Sequence, residues 1–181
     1  TVPLLTQLGA LYRQRFGRLE LAEAYLERAY ILDPEAAAAR DALIALHEER
    51  DDWDALRPLL EACIADAPDE ERVGLEAAFI EQLWAHEAGR PDAIERAKQL
   101  LEDRPERALN ALSDWASRVD DPSLDLAFAT ARTDFVTDAS ELADAWVHVG
   151  RGRAALGLPD AVAAYAHAFT IDRTNLEAAE A

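Results

Sequence analysis

The sequence predicts an all-α fold built as a solenoid of stacked antiparallel helix hairpins. Three observations carry that prediction. The first is a recurring signature: Ala22, Leu26, Ala29, Pro34; Leu56, Leu60, Cys63, Pro68; Ala93, Ala97, Leu100, Pro105; and Ala161, Tyr165, Ala168 with Arg173 in the proline slot. Offsets of four, seven and twelve put three side chains on one helix face and a stop one turn beyond. The second is the period: the prolines at 34, 68 and 105 stand 34 and 37 residues apart, the interval of stacked helix pairs. The third is composition. Half of the 181 residues are hydrophobic, with alanine and leucine in the lead, and only 7 are Gly and 8 Pro. That suits helix throughout and a continuous core.

Residues 2–34 make the first predicted hairpin, with helices near Leu4–Gln14 and Leu19–Leu32. Leu5, Leu8, Gly9 and Tyr12 form one stripe of the first helix, and Gly9 admits the second helix closely. Gly17 makes the turn. Residues 35–68 make the second: Ala39, Leu43 and Leu46 stripe its first helix, and Asp51 or Asp52 caps the next. Pro58 sits too late for a first turn there, which predicts a kink or a later start. Residues 69–105 hold a longer first helix, about Asp69 to Glu87, striped by Val73, Ala77, Ile80 and Trp84. Pro91 then falls in the first turn of the following helix.

Residues 106–136 are a degenerate fourth unit. A helix from Pro105 carries Leu109, Leu112 and Ala116, and Asp121-Pro122 caps and opens another in which Leu124, Phe128 and Ala131 fill the apolar slots. Its proline slot falls at Val136. After a loop, Asp138 and Glu141 read as a capping box for the fifth unit, residues 139–173. There Trp146, Val149 and Gly150 repeat the first-helix pattern, Gly157 turns and Pro159 restarts. Residues 174–181 read as the start of a further helix, so the chain reads as a piece of a longer array whose end faces, around Leu176 above all, are adhesive.

These residues carry a family resemblance. Leu5-x2-Leu8-Gly9-x2-Tyr12 and Trp146-x2-Val149-Gly150, followed by Ala22-x3-Leu26-x2-Ala29 and Ala161-x3-Tyr165-x2-Ala168, resemble the tetratricopeptide repeat pattern W-x2-L-G-x2-Y, A-x3-F, P. The likeness covers nearly the whole chain, as a divergent bacterial-type array. It departs from the pattern at Arg40 and His47, which stand where large apolar residues are usual. It implies a right-handed α-solenoid, TPR-like, whose first helices line a concave groove that binds a protein or peptide segment. In the best-known peptide-binding members a Lys/Asn/Arg set grips a C-terminal carboxylate. The matching slots here hold Thr6, Ala10 and Asp41, so that clamp is absent.

Charge narrows the partners. Asp and Glu total 36 against 18 Lys and Arg, a net charge of −18. Such a chain is repelled by nucleic acid and by anionic membrane surfaces, and basic residues are favoured on a protein or peptide partner. No apolar run approaches the length of a membrane span. The expected setting is the cytoplasm, with the periplasm left open. Cys63 is the single cysteine and occupies a small apolar slot, so it reads as a structural thiol.

No catalytic or metal-binding constellation emerges, and no cofactor is expected. His47-Glu48 lacks the second histidine of H-E-x-x-H, the other histidines (86, 148, 167) show no ligand spacing, and the Asp-rich turns lack the central glycine of an EF-hand. Phosphate-cradle and nucleophile-elbow motifs are missing. Trp53, Trp84, Trp115 and Trp146 fall 31 residues apart, but at different places in their hairpins, so they read as separate packing events.

The expected function is a non-catalytic interaction scaffold. The groove candidates are Thr6, Gln7, Arg13, Asp41, Glu48, Phe79, Gln82, His86, Asn110, Asp114, His148 and Arg151. Asp41, Glu48 and Asp114 make its middle acidic, and Phe79 offers an apolar contact between them. The alternatives are a structural spacer that assembles through the array ends, or a regulatory module of an enzyme lying outside this segment.

Overall fold

The computed structural model describes residues 1–175 and 178, and these divide into two compact units, Thr1–Ala67 and Pro68–Ala181. All regular structure among the described residues is helical. The first unit holds α1 (Val2–Phe16), α2 (Leu19–Leu32), α3 (Ala37–Arg50) and α4 (Trp53–Asp66). The second holds α5 (Asp69–Ala85), α6 (Arg90–Asp103), α7 (Pro105–Ala116), α8 (Pro122–Thr133), α9 (Ala139–Ala155) and α10 (Ala161–Ile171). The expected start of a further helix at 174–181, including the face around Leu176, lies largely outside the described residues.

In the first unit α1 packs on α2 and α3, α2 on α3, and α3 on α4. Ala22, Leu26, Leu43, Leu46 and Leu59 form the buried core, with Tyr12, Tyr30, Ala42 and Ile44 against it. Gly9 is buried beneath Leu26: a Cβ there would stand 2.5 Å from Leu26 Cγ. The turns use left-handed backbone, at Gly17 (φ 60°) and at Asp51 (φ 55°), a conformation aspartate tolerates better than most side chains. Asp52, one residue on, caps α4 by accepting from the Ala55 N–H at 3.3 Å.

Two expectations are corrected in α4. Of the kink or later start expected at Pro58, the later start fails: the helix begins at Trp53 with Pro58 inside it. There the ring removes the N–H that would reach the Asp54 carbonyl. The buried residues are Leu56, Leu59 and Ile64, whereas Leu60 and Cys63 are only half-buried. Arg40 explains the rotation. Its guanidinium bonds Asp66 and lies beside Cys63, so the Cys63 face keeps a charge near it and the neighbouring face turns inward. Burial pushes the Cys63 thiol above its usual pKa, with Arg40 opposing, although the side chain is only half-buried.

In the second unit each helix packs on the next, α5 also touches α7, and α6 touches α8. The first turn differs from the left-handed pattern. Residues Glu87–Gly89 form a 3-10 turn, and a Cβ on Gly89 would stand 2.5 Å from the Leu83 carbonyl oxygen. Asp121 accepts from the N–H groups of Ser123 and Leu124 at 2.9 and 3.0 Å, and Asp138 from those of Ser140 and Glu141 at 2.9 and 3.1 Å. Pro159 does not open α10, which begins two residues later after Asp160 in left-handed backbone (φ 69°).

The proline slots mark the helix ends. α2, α4 and α6 end at Leu32, Asp66 and Asp103, each two residues before Pro34, Pro68 and Pro105, and α10 ends two before Arg173. α8 ends three before Val136. The even tryptophan spacing is only partly coincidence: Trp84 on α5 and Trp115 on α7 meet edge to face at 5.8 Å, while Trp146 meets the His167 ring instead.

Candidate functional site: a cleft beside α8

A cleft of about 790 Å³ opens in the second unit. One wall is α7, through Leu109, Ser113, Ala116 and Ser117. α8 supplies Asp125, Phe128, Ala129 and Arg132, the loop after it Phe135 and Val136, and α9 the far wall with His148, Arg151, Gly152 and Ala155. α7, α8 and the loop after α8 supply most of its lining. Small residues bring α9 down onto α8, where a Cβ on Gly152 would stand 3.0 Å from Leu126 Cβ, and Ala129, which lines the cleft, packs with buried Val149 and Ala164. Phe128 is left half-buried and Phe135 is 42% exposed.

The polar groups sit around this apolar lining. The Ser113 and Ser117 hydroxyls donate to their own helix, to the carbonyls of Asn110 (3.2 Å) and Asp114 (2.8 Å). Arg132 and Arg151 bring positive charge. The Asp125 carboxyl is held above the usual carboxylate range by burial first, then by Asp120 and Asp121, with His148 pulling the other way. Burial also pushes the Asp121 carboxyl up, but bonds from the Ser123 hydroxyl and the Leu124 and Ser123 N–H groups outweigh it and hold that group low. With two arginines facing one aspartate, the cleft is locally less acidic than a chain of net charge −18.

The structure brings His148 and Arg151 together here. Asn110 and Asp114 are exposed on the same α7 but do not line the cleft. Phe79 is a correction. It is 2% exposed and offers no free surface, because α5 turns it inward and Arg96 covers the ring at 4.8 Å from its centroid. Gln82 is half-buried with its Oε1 enclosed, and His86 ends α5 and leads into the 3-10 turn. In the first unit Thr6 donates to the Val2 carbonyl at 3.1 Å, Arg13 is held by Glu49 at 2.8 Å, and Gln7, Asp41 and Glu48 are exposed. Asp125, Phe128, Arg132 and Phe135 were missed as site residues. The available signal was an aromatic, Phe135, in a loop with no core slot to fill.

No helix among the described residues is long and apolar enough to cross a membrane. No family model matches the chain, and no curated protein matches it. Among solved structures it is similar to the crystal structure of YrrB, described as a TPR protein with an unusual peptide-binding site. The identity is 19% and the TM-score 0.38, over 97% of this chain and 89% of that one. That likeness assigns no residue and no ligand here.

Proposed function

We propose that the chain is a non-catalytic interaction module that holds a peptide or protein segment in the cleft between α7 and α9. The single observation that carries this reading is the cleft itself: an apolar lining of Leu109, Phe128, Phe135 and Val136 open to solvent and bordered by charge. A concave, mostly apolar site with a few placed polar groups is the usual form of a binding site. The occupant presents an apolar anchor to the aromatic rings and a neighbouring carboxylate to Arg132 or Arg151. Outside the cleft the net charge of −18 favours basic flanks on the partner. Asp114, exposed on α7, acts there as a steering charge, which speeds association and is screened by salt. A single segment binds in the micromolar range, about −8 kcal/mol.

Selection from a displayed library of short random peptides tests this. Enriched sequences pair an aromatic or aliphatic residue with Asp or Glu. Ala155→Trp, which fills the mouth, and Arg151→Glu weaken them at least about tenfold, a change worth 1.4 kcal/mol. Asp114→Lys alters association rate and salt dependence only. Peptides that bind both cleft variants as well as the parent protein would refute the assignment.

The second reading, assembly through the array ends, is favoured by exposed Leu4 and Leu11 on α1 and Ile31 on α2. Under that reading the same library yields nothing specific to the cleft.

A further inference from the structure

We propose that Glu23, His47 and Asp52 form a binding site for a first-row divalent cation of the zinc type, tying α2 to the turn between α3 and α4. His47 is the one buried polar or charged side chain among the described residues, 3% exposed, and its Nδ1 is enclosed without a hydrogen-bond partner. Buried polar atoms are nearly always paired, and one that is not calls for an explanation. This atom faces Asp52 Oδ2 at 3.8 Å, too far for a hydrogen bond. A carboxylate oxygen of Glu23 completes the group, and one donor atom from each of the three residues lies within 4.8 Å of the others.

The backbone builds this arrangement. The Asp52 N–H donates to the His47 carbonyl at 3.0 Å, across Asp51 in left-handed backbone. That bond folds Asp52 back under the imidazole. Its Oδ1 is used to cap α4, receiving the Ala55 N–H at 3.3 Å, which leaves Oδ2 turned toward His47. Glu23 is fixed from the other side: its Oε2 accepts from the Arg50 guanidinium. Asp52 thus has one oxygen engaged in positioning and the other turned toward His47, and Glu23 is held in place by Arg50, as outer partners position metal ligands generally.

The donor set selects the ion. One imidazole nitrogen and two carboxylate oxygens suit zinc or its first-row neighbours, whereas calcium and magnesium prefer oxygen alone. With bonds of about 2.0–2.1 Å and tetrahedral angles, ligand atoms stand about 3.3 Å apart. His47 Nδ1 and Asp52 Oδ2 stand at 3.8 Å and all three ligand atoms lie within 4.8 Å of one another, so a modest inward movement suffices, and water completes the coordination.

The full, untagged chain is stripped with chelator and titrated with cobalt(II), then with zinc(II). Saturable uptake of one equivalent with visible absorption bands is expected, displaced by zinc, accompanied by a rise in Tm and indifferent to excess magnesium. His47→Gln and Asp52→Asn each weaken cobalt binding at least about tenfold, while His86→Gln and His167→Gln leave it unchanged. Asp52→Asn retains a capping side chain, so circular dichroism matching the parent separates lost ligation from lost folding. The proposal is overturned if the parent protein takes up no cobalt saturably, or if uptake survives both His47→Gln and Asp52→Asn.

Discussion

The first and last hairpins use one device with different latitude. In each, a glycine of the leading helix lies beneath a large side chain of the returning helix: Gly9 under Leu26, Gly150 under Tyr165. An added Cβ would meet Leu26 Cγ at 2.5 Å in the first and the Tyr165 ring at 2.9 Å in the last. Leu26 is 0% exposed and enclosed by Ala22, Leu43, Leu46 and Leu59. Tyr165 is half-buried, resting beside Val147 and Ala168 with one side toward solvent. Glycine here is demanded by what the partner helix sets over it, and the strength of the demand depends on whether that group has room to move.

The largest expected effects sharpen this contrast. Leu26→Ala costs about 2–5 kcal/mol, as buried leucines do. Gly9→Ala forces a boxed-in side chain and costs about 1–3 kcal/mol. Gly150→Ala costs less, about 1 kcal/mol or below, because the ring can swing outward. Chemical denaturation of the three variants measures this order. The double variant Gly9→Ala/Leu26→Ala loses less than the sum of its parts, since removing Leu26 relieves its clash and leaves only the Ala22 carbonyl oxygen, 3.1 Å from the added Cβ. Equal losses at Gly9 and Gly150 would mean that the exposure of Tyr165 confers no freedom.

A second difference lies at the helix starts. In the first hairpin neither α1 nor α2 has a side-chain cap. In the last, α9 is capped by Asp138, which accepts from two N–H groups. Asp138→Ala lowers stability by about 1 kcal/mol and Asp138→Asn by far less. If Asn restores nothing, the carboxylate acts through its charge on the helix terminus rather than through these bonds.

The hairpin frame was legible because it is local. Proline stops, aspartate caps and the 3.6-residue stripe act within a turn or two, and the Pro34, Pro68 and Pro105 slots fall two residues past helix ends. What escaped was set by side chains far apart in the chain. Phe79 reads as a groove residue from its place on the helix, yet Arg96, on the next helix, covers it. The slots at Leu60 and Cys63 lost their burial to Arg40, whose partner Asp66 lies 26 residues on. The cleft needed the close approach of α9 to α8 at Gly152, and the grouping of His47 with Glu23 needed α2 to pack beside α3. Neither follows from a repeat pattern that marks His47 only as a departure.

The smallest effect reverses sign. Gly74 also lies inside a leading helix, α5, but it is exposed and a Cβ there would meet nothing within 4 Å. No partner helix demands it, so only the backbone cost of glycine remains. Gly74→Ala therefore stabilises the protein by about 0.5–1 kcal/mol, chiefly by narrowing the unfolded ensemble. Denaturation midpoints for Gly9→Ala, Gly150→Ala and Gly74→Ala then run from a large loss through a small one to a gain, for one and the same added methyl group. A loss at Gly74 would show that glycine serves these helices for some reason other than what lies over it, and would remove the basis for ranking the other two by crowding.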